Sequence, residues 1–258
     1  PNTPETAQGL IDGRADVSWG GPMRVMLHHD KDRDCPLVCF AQVVARDPSI
    51  LVGRQPNGRF RFDDLAGLRV GAMTEVPTPW MTLQDDIRRA GVDLDSIRWT
   101  KDQSMAECAA ALRAGELDVV QIFEPHADAL VQGGHGHIWH RCAARGDSAW
   151  TSFYTTRSFT QAQPETCRAL VRGIERALAV LHAETPASVA ETVIDYFPDL
   201  SVEALARMID GYRLSGLWVR TTELGVEAFV RLKSAMISGG LISYDAPYDH
   251  LVVTDLPD

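Results

Sequence analysis

Between Leu68 and His140 the sequence alternates short apolar runs with segments of helical periodicity. That alternation restricts the chain to folds in which strands are joined by crossover helices in a mainly parallel sheet. Leu68-Arg69-Val70-Gly71-Ala72 reads as a strand. The next segment predicts a helix with Thr78 as N-cap and Pro79 at its first position, with Trp80, Leu83, Ile87 and Ala90 on one face and Gly91 just past its end. Ile97-Arg98-Trp99 predicts a brief strand. Ser104 and Glu107 then have the spacing of a capping box, and their helix runs to Ala114 and stops at Gly115. Asp118 to Phe123 is a buried type of strand, after which Pro125 opens a helix that Gly133-Gly134 ends.

After residue 160 the pattern is helical throughout: Pro164 to Ala183, Pro186 to Phe197, Ser201 to Ser215 and Thr222 to Ser238. In the first of these, Cys167, Leu170, Val171, Ile174, Ala177, Leu178 and Leu181 form one apolar stripe, which predicts packing rather than chemistry. No apolar run approaches the roughly 20 residues that span a bilayer. A formal charge of -10 disfavours nucleic acid and anionic surfaces, because the field of the whole protein repels phosphate. The five cysteines include no C-x-x-C pair and leave the redox compartment open. The opening Pro1-Asn2-Thr3-Pro4-Glu5 shows neither the basic start nor the apolar stretch of a secretory signal, which is expected to have been removed or never present.

Two segments echo each other. Leu10-Ile11-Asp12-Gly13-Arg14-Ala15-Asp16-Val17 and Leu112-Arg113-Ala114-Gly115-Glu116-Leu117-Asp118-Val119 share the spacing L-x-x-G-x-x-D-V, and proline follows both at Pro22 and Pro125. Each predicts a helix stopped by a left-handed glycine, a turn, a strand and a new helix. In open α/β sheets ligands gather beyond the carboxyl ends of strands, where helix starts offer N–H groups. That rule nominates Trp19, Gly20 and Gly21 in the first copy and Glu124 in the second.

At these residues the chain resembles the NMT1/THI5-like substrate-binding proteins of ABC transporters, which take nitrate, taurine, alkanesulfonates and thiamine-precursor pyrimidines. The resemblance rests on Gly13-Arg14-Ala15-Asp16 with Gly21-Pro22, on Asp64 to Gly71, on Ala111 to Asp118 leading into Glu124-Pro125, and on Gly240-Leu241-Ile242 with Pro247-Tyr248. It implies a two-lobed α/β protein of the type 2 periplasmic binding fold, each lobe a mainly parallel sheet flanked by helices, with a helical C-terminal part. It further implies one lobe from residues 1–62 plus 151–258, a second from 63–150, a ligand cleft between them, and hinges at 59–63 and 148–154. Tyr154, at the second crossing, joins the expected ligand contacts. Family members normally begin with a strand, a helix and a second strand ahead of the segment that starts here, so the site list is expected to be incomplete. The implied partners are a small-molecule ligand and an ABC permease, in a periplasmic or exported protein that a preceding segment could anchor to lipid.

Met73-Thr74-Glu75-Val76-Pro77-Thr78 follows the strand at Gly71, where a simple oxyanion would need free N–H donors. Two prolines remove donors and Glu75 adds negative charge, so nitrate or sulfonate is disfavoured there. Trp19, Trp80 and Glu124, with Thr74, Glu75 and Thr78 beside them, favour an aminopyrimidine or similar heterocycle, although a tryptophan on a helix stripe, as Trp80 is, more often packs in a core. His135, His137 and His140 read as a surface strand, with no metal and no cofactor expected. The competing class is a pyrimidine-synthesising enzyme of the same fold, which is expected to carry a dense cysteine run and a cofactor lysine. This chain offers scattered cysteines and Lys31, Lys101 and Lys233, none at a nominated strand end, so binding without catalysis is the expectation.

Overall fold

The structure, a computed structural model, describes residues 3–73 and 77–256. The chain divides into two units: unit 1 comprises Pro1–Arg46, Asp147–Thr185 and Gly216–Asp258, and unit 2 comprises Asp47–Gly146 and Pro186–Ser215. Unit 1 opens with α1 (Thr3–Ile11), β1 (Ser18–Gly20), α2 (Pro22–Lys31) and β2 (Leu37–Val44). Unit 2 follows with β3 (Ile50–Gly53), β4 (Arg69–Gly71), α3 (Pro77–Arg89), β5 (Arg98–Thr100), α4 (Met105–Ala114), β6 (Val119–Ile122), α5 (His126–Gln132) and β7 (His137–Arg141). The chain returns to unit 1 for β8 (Thr151–Thr156), α6 (Arg157–Ala162) and α7 (Pro164–Ala183). It then adds α8 (Pro186–Val193) and α9 (Val202–Leu214) to unit 2, and closes unit 1 with α10 (Val226–Ser238) and α11 (Tyr248–Leu251).

The alternation between Leu68 and His140 builds a five-stranded sheet in unit 2, in the order β5-β4-β6-β3-β7. β4 is parallel to β5 and β6, while β3 runs antiparallel to β6 and β7. The two inner strands β3 and β6 are buried on both faces, which is why they are mostly apolar rather than alternating. Ile50, Val52, Val120 and Ile122 point to one face and pack with Leu112, Leu117 and Leu130. Leu51, Val70 and Val119 point to the other and pack with Leu83, Ile87 and Ile97. Each fully buried Leu, Ile or Val contributes about 1.5–3 kcal/mol.

In unit 1 the sheet order is β1-β8-β2, with β8 antiparallel to both neighbours. The mainly parallel sheet expected of each lobe therefore holds for β5-β4-β6 and not for unit 1. The reason is topological: the strand between β1 and β2 is the returning segment, and it enters from the opposite direction. The α7 stripe packs as its spacing requires, with Cys167, Leu170 and Val171 against Phe40, Ala41 and Phe153, and Ile174, Leu178 and Leu181 against Val43 and Ala45.

The domain division differs from the expected 1–62 plus 151–258 and 63–150. β3 is hydrogen-bonded between β6 and β7, which assigns the chain from Asp47 onward to unit 2 and puts the first crossing after Arg46 rather than at 59–63. The second crossing follows Gly146, just before the expected 148–154. Residues 186–215 also belong to unit 2, where Arg207 of α9 forms an ion pair with Asp128 of α5 at 2.9 Å.

Local signals fix the element ends. Ser104 Oγ accepts from the Glu107 N–H at 3.2 Å, and Glu107 Oε2 accepts from the Ser104 N–H at 2.7 Å, the reciprocal pair read from spacing. Thr78 is not the cap of α3, since the helix already begins at Pro77, and Pro125 is the cap of α5 rather than its first residue. The last long helix starts at Val226, four residues later than Thr222, with Gly225 as its cap. Among the described residues, no helix is long and apolar enough to cross a membrane.

Candidate functional site

Both copies of the echo form the backbone unit that their spacing predicts. Gly13 (φ 69°) ends α1 and Gly115 (φ 77°) ends α4, each in the left-handed conformation that other residues adopt only at a cost. A strand and a further helix follow each, so both copies deliver a strand end beside a helix start. The side chains at the two ends differ.

In unit 1, Gly21 is the N-cap of α2 and Pro22 its first residue, and no side chain caps the helix. A Cβ on Gly21 would lie 3.0 Å from the Trp150 carbonyl oxygen, and one on Gly20 would lie 3.2 Å from the Tyr154 ring and 3.5 Å from Arg24 Nε. The two glycines thus let β1 press onto the β8 segment and let the Arg24 side chain lie across the strand end. Arg24, in the first turn of α2, is half-buried and has no hydrogen-bond or ion-pair partner among the described residues. Burial pushes its pKa down, with Tyr154 opposing. Trp19 stands on the adjacent strand residue, 48% exposed, its ring edge-on to Phe153 at 5.0 Å. Tyr154 is fully buried and shares a 3.0 Å hydrogen bond with Thr6, so it supports this end of the sheet instead of offering its hydroxyl to a ligand.

In unit 2 the corresponding helix start is already filled by the chain itself. Glu124 Oε2 accepts from the Asp128 N–H at 2.7 Å, satisfying a first-turn donor of α5. The Glu124 N–H donates to the Tyr212 hydroxyl at 3.2 Å. Burial raises the Glu124 pKa, against the pull of the Asp128 N–H and of Arg141. At α3, Thr78 is buried and its carbonyl accepts from Thr82 Oγ1 at 3.1 Å. Trp80 packs edge-on to Trp99 at 4.7 Å, and Lys101 Nζ sits 5.3 Å over its ring, so a cation of the chain already takes the aromatic face that a cationic ligand would use. Thr74 and Glu75 lie outside the described residues.

The histidine tract separates. His137 and His140 lie on β7 and His135 precedes it, with His140 packed against Phe60 and Phe62 at 5.5 and 5.4 Å and its pKa lowered by burial. Among the described residues no group of three His, Cys, Asp or Glu side chains is placed to hold a metal ion. All five cysteines are buried, and burial raises the pKa of Cys35, Cys39, Cys142 and Cys167, which keeps these thiols away from the nucleophilic thiolate.

Arg24 was missed by an inspection confined to strand ends and prolines. Its signal was nevertheless present: a cation in the first turn of a helix opposes the macrodipole by about 0.3–1 kcal/mol, so Gly20-Gly21-Pro22-Met23-Arg24 spends stability on something other than the helix.

The same fold is found in the alkanesulfonate-binding protein SsuA from Xanthomonas axonopodis pv. citri bound to MOPS, with a TM-score of 0.73 and 15% identity over 98% of this chain and 85% of that one. The periplasmic aliphatic sulphonate binding protein SsuA from Escherichia coli matches with a TM-score of 0.77 and 15% identity over 95% and 82%. DszB, a desulfurization enzyme, matches in its complex with biphenyl-2-sulfinic acid with a TM-score of 0.67 and 14% identity over 99% and 94%. The architecture is thus the α/β fold of the periplasmic binding proteins, one that also carries an enzyme. The chain belongs to the NMT1/THI5-like family, whose model matches residues 1–187. In sequence it is similar to YtlA of Bacillus subtilis (strain 168), itself named only provisionally as a binding protein, at 21% identity over 98% of this chain and 77% of that protein.

Proposed function

We propose that this chain is the exported, periplasmic substrate-binding component of an ABC-type uptake system, and that its ligand is a flat ring carrying an anionic group. Family membership supports the transport role, and the handover partner is a membrane permease. The observation that carries the ligand class is Arg24, half-buried without a partner among the described residues at the uncapped start of α2. A desolvated guanidinium is stabilised by an oxyanion that can accept two of its hydrogen bonds. Trp19, one residue from Gly20, supplies an exposed aromatic surface for the planar body.

This reading keeps the flat ring favoured by the sequence, adds an acidic substituent to it, and departs from the expectation that a sulfonate is disfavoured. A phosphorylated aminopyrimidine and an aromatic sulfonate or sulfinate both have that character. The SsuA and DszB ligands share the oxidised sulfur group, and SsuA and this chain share the fold. The buried cysteines, with their raised thiol pKa values, support binding over covalent catalysis.

Titration calorimetry against 4-amino-5-hydroxymethyl-2-methylpyrimidine, its phosphate ester, benzenesulfonate and nitrate tests the proposal. The phosphate ester or benzenesulfonate is expected to bind well ahead of the neutral pyrimidine, and to be recovered chemically unchanged. Tightest binding by the uncharged pyrimidine would overturn the role given to Arg24, and turnover of any probe would overturn the non-enzymatic role.

A further inference from the structure

Away from the candidate site, unit 2 gathers three carboxylates and one guanidinium beside two of the places where the chain crosses between the units. Asp47, the first residue of unit 2, is 1% exposed. Its Oδ1 accepts from the Ser49 N–H at 2.8 Å and from Ser49 Oγ at 2.6 Å, and its Oδ2 accepts from Thr82 Oγ1 of α3 at 2.8 Å. Arg145 stands at the second of the four crossings, next to Gly146, and its buried guanidinium reaches the same turn of α3. It pairs with Asp85 and Asp86 and donates to the Thr82 carbonyl at 3.2 Å. Gln121 of β6 closes the arrangement by donating to Ser49 Oγ at 3.1 Å and to the Pro79 carbonyl at 2.9 Å. The first two crossings are therefore bonded to residues 82–86 of one helix.

Burying three carboxylates around one buried guanidinium is a poor way to stabilise a core, since well-packed apolar groups of similar volume commonly do as well or better. What the cluster supplies is directional connection. We infer that Arg145 and Asp47 are positioning residues that lock the chain at its first two crossings, after Arg46 and after Gly146, onto α3. Asp86 gives the lock a pH dependence: burial holds its pKa at about 6, with Arg145 pulling it down and Asp47 and Asp85 pushing it up. Facing it are Asp85 on its own helix, Asp47 at the first crossing, and Arg145 and Cys142 at the second; Arg89 reaches the cluster from the surface through Asp85 at 2.8 Å. A carboxyl whose pKa is higher closed than open favours the closed cluster more as pH falls through 6.

Hydrogen exchange on the full chain decides the matter, with protection factors corrected for the intrinsic pH dependence. In Arg145→Lys, which keeps the charge and loses the fork, protection at 47–52 and at 82–86 is expected to fall together by about tenfold or more while α4 is unchanged. In the wild type, protection of both segments is expected to rise from pH 7 to pH 5, and in Asp86→Asn to rise less, the remainder coming from Asp47, whose pKa burial also raises. Loss at one segment without the other, or the same pH response in Asp86→Asn, would overturn the lock.

Discussion

The two copies of L-x-x-G-x-x-D-V make the same backbone and put it to different uses. In unit 1 the helix start after the strand is left without a side-chain cap, and an arginine lies half-buried beside it with no partner among the described residues. In unit 2 a glutamate of the chain occupies the equivalent position and satisfies the Asp128 N–H. The aspartates differ as well. Asp118 accepts from the Arg69 N–H at 3.0 Å, from Arg69 Nε at 3.0 Å and Nη2 at 2.7 Å, and from Arg54 at 3.2 Å, tying the β4 and β3 ends to β6. Asp16 is exposed, and what it contributes is its backbone carbonyl, which accepts from Thr155 Oγ1. A repeat in sequence therefore reports a repeat in chain geometry. What differs between the copies is whether a side chain of the chain itself satisfies the helix start.

The largest expected difference lies between the aspartates. Asp118→Asn should cost about 2–3 kcal/mol in urea unfolding, because a carboxylate with several charged or backbone donors becomes a weaker, neutral acceptor. Asp16→Asn should stay within about 0.5 kcal/mol. The Arg69 and Arg54 donors hold the Asp118 pKa well below the usual carboxylate range, so this stability is present above the unfolded pKa and lost as pH falls through the lower folded one. Equal costs for the two substitutions would break the comparison. Next in size, Arg24→Ala should weaken benzenesulfonate or phosphate-ester binding by about 30-fold, as expected for losing a charge-assisted hydrogen-bonding pair worth about 2 kcal/mol. The same substitution should leave the melting temperature unchanged or higher, since it removes a cation from a helix start. A drop in stability with unchanged affinity would show Arg24 to be structural.

Much of unit 2 could be read from the chain because its signals are local. The capping box at Ser104 and Glu107, the left-handed Gly115 and the apolar runs at β4 and β6 each act within a few residues. Unit 1 was harder to read, because the direction of its sheet depends on β8, which arrives more than a hundred residues after β2 begins and carries no local mark of antiparallel pairing. The first crossing was misplaced for a related reason: Ile50-Leu51-Val52-Gly53 is a strand in either unit until its partners are known. Among the proposed contacts, Trp19, Gly20 and Gly21 fall at the unit 1 strand end as nominated, Tyr154 is buried behind it, and Trp80 packs on Trp99. Burial of a charge is a long-range property, which is why Arg24 and the Asp47–Arg145 cluster escaped a reading by spacing.

The smallest effect is expected at Glu124, and it separates a cap from a ligand anchor. Glu124→Ala removes the acceptor of the Asp128 N–H and should cost about 1 kcal/mol of unfolding free energy, the usual size of a lost N-terminal cap. Burial raises the Glu124 pKa, so its ionised form is disfavoured in the folded chain, and stability from this residue declines as pH rises from the unfolded pKa through the folded one. The alanine variant should therefore lose least at the alkaline end of that range. If Glu124 only caps α5, affinity for the anionic probes should change by less than about threefold, because a cost paid equally by free and bound protein cancels in binding. A tenfold loss of affinity at constant stability would instead make both copies of the repeat ligand contacts, and would return the aminopyrimidine, with its exocyclic donor, to the front of the ligand series.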